Sequence, residues 1–137
     1  MPHGLTVDFE GNIWLTDVGT HQVFKFNFEK NPFEPLLVIG EELTSGNDES
    51  HFCKPTSVSI SKINGDIFVA DGYCNSRIAQ FDKNGKFIKD YKDEEKPIQV
   101  VHSIALIESS NVVCTVSREE GRQVYFLVKI SKLTAFI

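Results

Sequence analysis

The sequence predicts an all-β fold of repeated antiparallel sheets, on three observations. First, the chain repeats itself: "PHGLTVDFEGNIWLTDVGTHQVFKF", "PTSVSISKINGDIFVADGYCNSRIAQF" and "VHSIALIESSNVVCTVSREEGRQVYFL" align from Pro2, Pro55 and Val101. Second, apolar residues alternate with period two and are rich in β-branched and aromatic types, while no stretch carries a long helical period. Third, the repeats share turn chemistry, with "EGN", "NGD" and "ESSN" at matching places. Short strands in units spaced by roughly 50 residues are the signature of β-propeller blades.

Each unit justifies its strands in the same order. The first strands carry Leu5/Val7, Val58/Ile60 and Ile104/Leu106 as alternating pairs. The second are "IWLTD", "IFVAD" and "VVCTVS", and the third "QVFKF", "RIAQF" and "QVYFL". Fourth strands are expected in "PLLVIG" (35–40) and "GKFIKDY" (85–91). The units run over about 2–54, 55–100 and 101–137, a single partial propeller of about three blades. Known propellers close with about four to eight blades. The chain is therefore expected to be part of a larger ring, or to self-associate through its open edges.

Composition narrows the function. With 137 residues, 41% hydrophobic and 24% charged, the chain fits one globular domain. A net charge of -5 and no basic patch exclude a nucleic-acid partner. The longest apolar runs, such as "LLVI", are too short to cross a bilayer. "MPHGLTVDFEGN" has neither the basic nor the apolar region of a signal peptide. Three cysteines, Cys53, Cys74 and Cys114, allow one pair and one remaining thiol.

Stacking the repeats places His3, Thr56 and His102 in one column, at the start of each innermost strand. Equivalent positions lie at equal radius around a propeller axis, so His3 and His102 can face one cavity. Converging imidazoles suit zinc, which takes three protein ligands when it keeps an open position. A third ligand two blades further on would fall near position ~200 in this register. His21 and His51 share no such column and read as structural or surface residues.

"PHGL", "FCKPTSVSI" and "DGYCNSRI" together resemble the peptidyl-α-hydroxyglycine α-amidating lyases, the lyase half of peptidylglycine α-amidating monooxygenase. The resemblance is strong from Pro2 to about Phe87 and in register from Val101 to about Val124. It fades from Tyr125, leaving a divergent tail over 125–137. It implies a six-bladed NHL-type propeller with zinc on the axis, held by three histidines, two of which match His3 and His102. The third, and an arginine upstream of "PHG", have no counterpart here. It also implies a structural calcium, with the carbonyl of Leu5 among its ligands. Tyr73 matches the proposed catalytic base, and a nearby Zn²⁺ would favour the phenolate such a role needs. Cys53 and Cys74 match a disulfide, worth about 3 kcal/mol in the chain-entropy model. Arg118 matches an active-site arginine suited to a substrate carboxylate. Two departures stand out. Tyr125 occupies the position of the cysteine that would pair with Cys114, and Ser117 replaces the aspartate seen at Asp17 and Asp71.

The implied reaction splits a peptidyl-α-hydroxyglycine into a peptide amide and glyoxylate. The competing expectation is a non-catalytic NHL-type propeller fragment acting in protein interaction. A calcium-dependent lactonase-like site would want carboxylates and Asn in the column that holds His, Thr and His. The disulfide implies an oxidising compartment, the secretory pathway or the cell exterior.

Overall fold

A computed structural model describes residues 1–130, and the expected third unit and tail from 131 onward lie outside the described residues. Among the described residues, eleven strands form three antiparallel sheets. Blade one holds β1 (Pro2–Val7), β2 (Ile13–Asp17), β3 (Gln22–Phe26) and β4 (Leu37–Ile39), paired in that order. Blade two repeats the order with β5 (Pro55–Ile60), β6 (Ile67–Asp71), β7 (Arg77–Phe81) and β8 (Phe87–Tyr91). Blade three has β9 (Val101–Ile107), β10 (Val112–Ser117) and β11 (Arg122–Leu127), with one 3₁₀ turn at Glu108–Ser110. The two expected fourth strands are present as β4 and β8.

The alternating faces of each sheet explain where the cores lie. Ile67, Val69, Ala79 and Phe81 of blade two pack on Trp14, Val23 and Ile39 of blade one. The other face, Phe68, Ala70 and Ile78, packs on Val101, Val113 and Val124 of blade three. Every residue of β6 and β7 is therefore buried: "IFVAD" is apolar but for Asp71, and in "RIAQF" the buried Arg77 and Gln80 are paired with Asp71 and Asp66. Blades one and three cover blade two on one side each. Their outer faces leave Leu5, Val7, Tyr125 and Leu127 exposed.

Tight turns close the strands at the end away from the site. Asp8 accepts hydrogen bonds from the Glu10 and Asn12 amides and from Trp14 Nε1, with Gly11 at φ 81° supplying the left-handed residue. Asp82 does the same for the Asn84 and Lys86 amides, with Gly85 at φ 86°. Among the described residues no helix is long and apolar enough to cross a membrane.

Candidate functional site

The three innermost strands begin at one end of the molecule, each paired with the end of its neighbour: Pro2 with Asp17, Pro55 with Asp71, Val101 with Ser117. Each pairing carries a local irregularity at this end. His3, Thr56 and His102 are the second residues of these strands, in matching positions. The β6–β7 bend adds Tyr73, and the β10–β11 bend adds Arg118.

Four of the expected residues converge here. The His3 and His102 ring centroids are 5.3 Å apart at 80°. Tyr73 stands edge-on to both, at 5.4 Å from His3 and 6.0 Å from His102. The Arg118 guanidinium carbon lies 5.3 Å from the Tyr73 ring centroid, a cation over an aromatic face.

Hydrogen bonding assigns the protons. His3 Nδ1 is 2.8 Å from the Thr56 carbonyl, which can only accept, so Nδ1–H donates. In the neutral ring Nε2 is then bare and faces the Tyr73 hydroxyl at 3.1 Å, which donates to it. That single lone pair can serve either the Tyr73 hydroxyl or another donor or cation, not both. Burial, then the neighbouring His3 and Arg118, holds His102 below the usual imidazole pKa. His102 is thus neutral near pH 7, the form that binds metals.

Tyr73 is held from below. Cys53 and Cys74 form the expected disulfide, with Cα atoms 5.4 Å apart and a sequence separation of 21. Asp71 is fully buried and accepts from the Cys53 amide, Asn75 Nδ2 and Arg77 Nε at 2.7–2.9 Å. Desolvation pushes its carboxyl up, opposed by those three partners. Arg77 also donates to the Asp48 and His51 carbonyls, tying down the loop before β5. His51 bonds Asp48 and Glu41 at the surface, and His21 accepts from the Lys54 amide, so both sit outside the site.

Arg118 pairs with the residue next to it in sequence. Its Nε and Nη2 both donate to Glu119 Oε1, at 2.9 and 2.6 Å, and Nη1 points to the Tyr73 oxygen at 3.3 Å. Glu119 therefore occupies the forked edge that a substrate carboxylate would use.

The donor chemistry suits zinc in kind, with His3 and His102 offering two adjacent imidazoles. Among the described residues, no group of three or more His, Cys, Asp or Glu side chains is placed to hold a metal. Leu5 lies on β1 two residues after His3, with its side chain exposed. Cys114 is free and half-buried, and it sits directly opposite Tyr125 across β10 and β11.

The NHL repeat family matches residues 1–26 and 52–81. The chain is 46% identical over 129 residues to peptidyl-glycine α-amidating monooxygenase B of Xenopus laevis, covering 89% of this chain and 14% of that protein. It is 45% identical over 137 residues to a probable peptidyl-α-hydroxyglycine α-amidating lyase of Caenorhabditis elegans, covering 96% of this chain and 38% of the relative. Peptidyl-α-hydroxyglycine α-amidating lyase 2 of Drosophila melanogaster is 45% identical over 126 residues, with 90% and 30% covered. The chain thus spans well under half the length of these curated relatives. Among solved structures, a streptogramin B lyase superposes with a TM-score of 0.62 at 16% identity, covering 96% of this chain and 41% of that one. A virginiamycin B lyase from Staphylococcus aureus gives 0.57 at 17% identity, covering 96% and 42%. At those identities the structures speak for the propeller fold alone. By sequence and fold together, the chain carries NHL repeats on a β-propeller fold and is similar, over part of their length, to the peptidyl-α-hydroxyglycine α-amidating lyases.

Proposed function

We propose that the chain carries part of the active site of a zinc-dependent lyase that cleaves peptidyl-α-hydroxyglycine to an amidated peptide and glyoxylate. The observation that supports this reading is the convergence of His3, His102, Tyr73 and Arg118 on one rim, from three blades. His3 and His102 would hold zinc, which when bound supplies Lewis-acid chemistry that makes the substrate α-hydroxyl more acidic. Tyr73 takes that proton as its phenolate, with Arg118 Nη1 3.3 Å from its oxygen. The α-carbon–nitrogen bond breaks, the hydroxyl carbon becomes the aldehyde of glyoxylate, and the amide nitrogen takes up one proton. Arg118 orients the substrate carboxylate once Glu119 yields its forked edge.

Further parts of the reading follow the relatives. A structural calcium would take the Leu5 carbonyl as one ligand. The Cys53–Cys74 disulfide fits an oxidising compartment, the secretory pathway or the cell exterior. The exposed apolar outer faces of blades one and three suit self-association, which sedimentation would read as a species heavier than one chain.

A second reading has its own support. Two imidazoles without a third ligand among the described residues fit a non-catalytic propeller piece. The deciding experiment follows glyoxylate release from an α-hydroxyglycyl peptide by the oxidised, zinc-loaded chain. Release that a chelator abolishes and zinc restores supports the lyase. A folded chain with no release, chelated or loaded, supports the second reading.

A further inference from the structure

Thr56 shares the histidine column but has no side chain able to hold zinc as imidazole does. Its contacts give it a different task. The residue is buried at 1% exposure, where blades one, two and three meet. Its carbonyl accepts His3 Nδ1–H from blade one at 2.8 Å. Its hydroxyl lies 2.6 Å from the Val101 carbonyl of blade three and 3.1 Å from the Ala70 carbonyl of its own blade. Val101 is the residue before His102. One threonine thus touches the ring of one histidine and the backbone that carries the other.

The surroundings leave this junction little freedom. A Cβ added at Gly4 would stand 2.5 Å from the Thr56 carbonyl oxygen. One added at Gly72, the residue before Tyr73, would stand 1.7 Å from the Val101 carbonyl oxygen. Glycine alone permits both approaches, so β1, β5, β9 and the Tyr73 bend are drawn together around the Thr56 side chain. Histidines that bind metals are oriented by a partner on the ring nitrogen away from the metal.

We infer that Thr56 is the positioning residue of the His3–His102 pair, its carbonyl fixing the His3 tautomer and its hydroxyl fixing the strand that presents His102. The purpose of that positioning rests on the zinc-lyase reading, whereas the geometry does not. Thr56→Val keeps the shape and removes the hydroxyl, leaving the Val101 and Ala70 carbonyls without it. Thr56→Ser restores the hydroxyl without the methyl group.

Long-range ¹H–¹⁵N spectra of the metal-free chain at mildly alkaline pH should show His3 protonated on Nδ1 and bare on Nε2. Thr56→Val should shift the ring signals of both His3 and His102. It should also weaken Zn²⁺ binding, measured by competition with a chromophoric chelator, by about 10–100-fold. Thr56→Ser should keep the wild-type spectra and stay within about threefold in affinity. His3 protonated on Nε2 would overturn the inference, as would ring signals that Thr56→Val leaves in place or a Thr56→Ser chain that behaves like Thr56→Val. If the wild-type chain binds no Zn²⁺, the lyase reading falls and the ring spectra alone decide the role of Thr56. If Thr56→Val fails to fold, the wild-type tautomer and Thr56→Ser decide it.

Discussion

The bends after β6 and β10 occupy equivalent places in blades two and three, and each delivers one residue to the site. They are built on different chemistry. In blade two the carboxylate of Asp71 lies at the strand end, fully buried, and gathers Cys53, Asn75 and Arg77 around itself. In blade three that place holds Ser117, whose hydroxyl donates to the Gln99 carbonyl and lies 3.0 Å from Glu120 Oε2. The carboxylate has moved outward to Glu120, which pairs with Arg122 and Lys96 near the surface. A disulfide adds to the first bend, while the single cysteine of the third blade stays free. The difference teaches how rigidity is divided: Tyr73 is fixed by buried, covalent and charged contacts, and Arg118 by the surface pair with Glu119.

The sharpest way to break this contrast is to remove the buried carboxylate. Asp71→Ala leaves Arg77 buried without its main partner and should cost about 3–5 kcal/mol in denaturant unfolding. A loss below 1 kcal/mol would show that the bend does not depend on the pair. Next in size, Cys53→Ser with Cys74→Ser should cost about 3 kcal/mol, read as a lowered Tm that reductant reproduces in the wild type. Ser117→Ala removes a hydroxyl shared between the Gln99 carbonyl and the partly exposed Glu120 carboxylate and should cost about 1 kcal/mol. An equal loss from Ser117→Ala and Asp71→Ala would erase the distinction between the two bends.

The smallest effect concerns pH. The Glu120 carboxyl is lowered to about 2, chiefly by its hydrogen bond with Arg122 and then by Ser117 and Lys96. A carboxyl lowered in the folded state contributes stability that is whole above its unfolded value near 4.5 and is lost as pH falls toward 2. Glu120→Gln should flatten that part of the stability curve, lowering stability slightly at pH 7 and converging with wild type near pH 2. A Glu120→Gln curve as steep as wild type between pH 4.5 and 2 would move the acid sensitivity elsewhere.

Much of this was legible in the residues. Alternation and repeated turns located every strand, including β4 and β8, because a half-buried strand must alternate. The histidine column located His3 and His102, because equivalent places in stacked blades share one end of the molecule. Tyr73 and the disulfide needed the resemblance, since a turn sequence alone does not say which side chains reach the axis. The Glu119 fork on Arg118 and the double contact of Thr56 were not legible. Alignment reports which positions match, whereas the Thr56 contacts depend on distances across blade boundaries and on carbonyls that carry no sequence signal, and the Glu119 contact depends on how two adjacent side chains turn. Glycines 4 and 72 were the available hint, each lying beside a site residue where a side chain would have collided with backbone.

The central claim is that the rim of His3, His102, Tyr73 and Arg118 acts as one catalytic centre, with Tyr73 taking the proton. The most direct test compares glyoxylate release by the zinc-loaded wild type and Tyr73→Phe, with Zn²⁺ affinity measured on both. The account predicts that kcat falls by about 10²–10⁴ while Zn²⁺ binding is retained. A Tyr73→Phe chain that releases glyoxylate at the wild-type rate would contradict it.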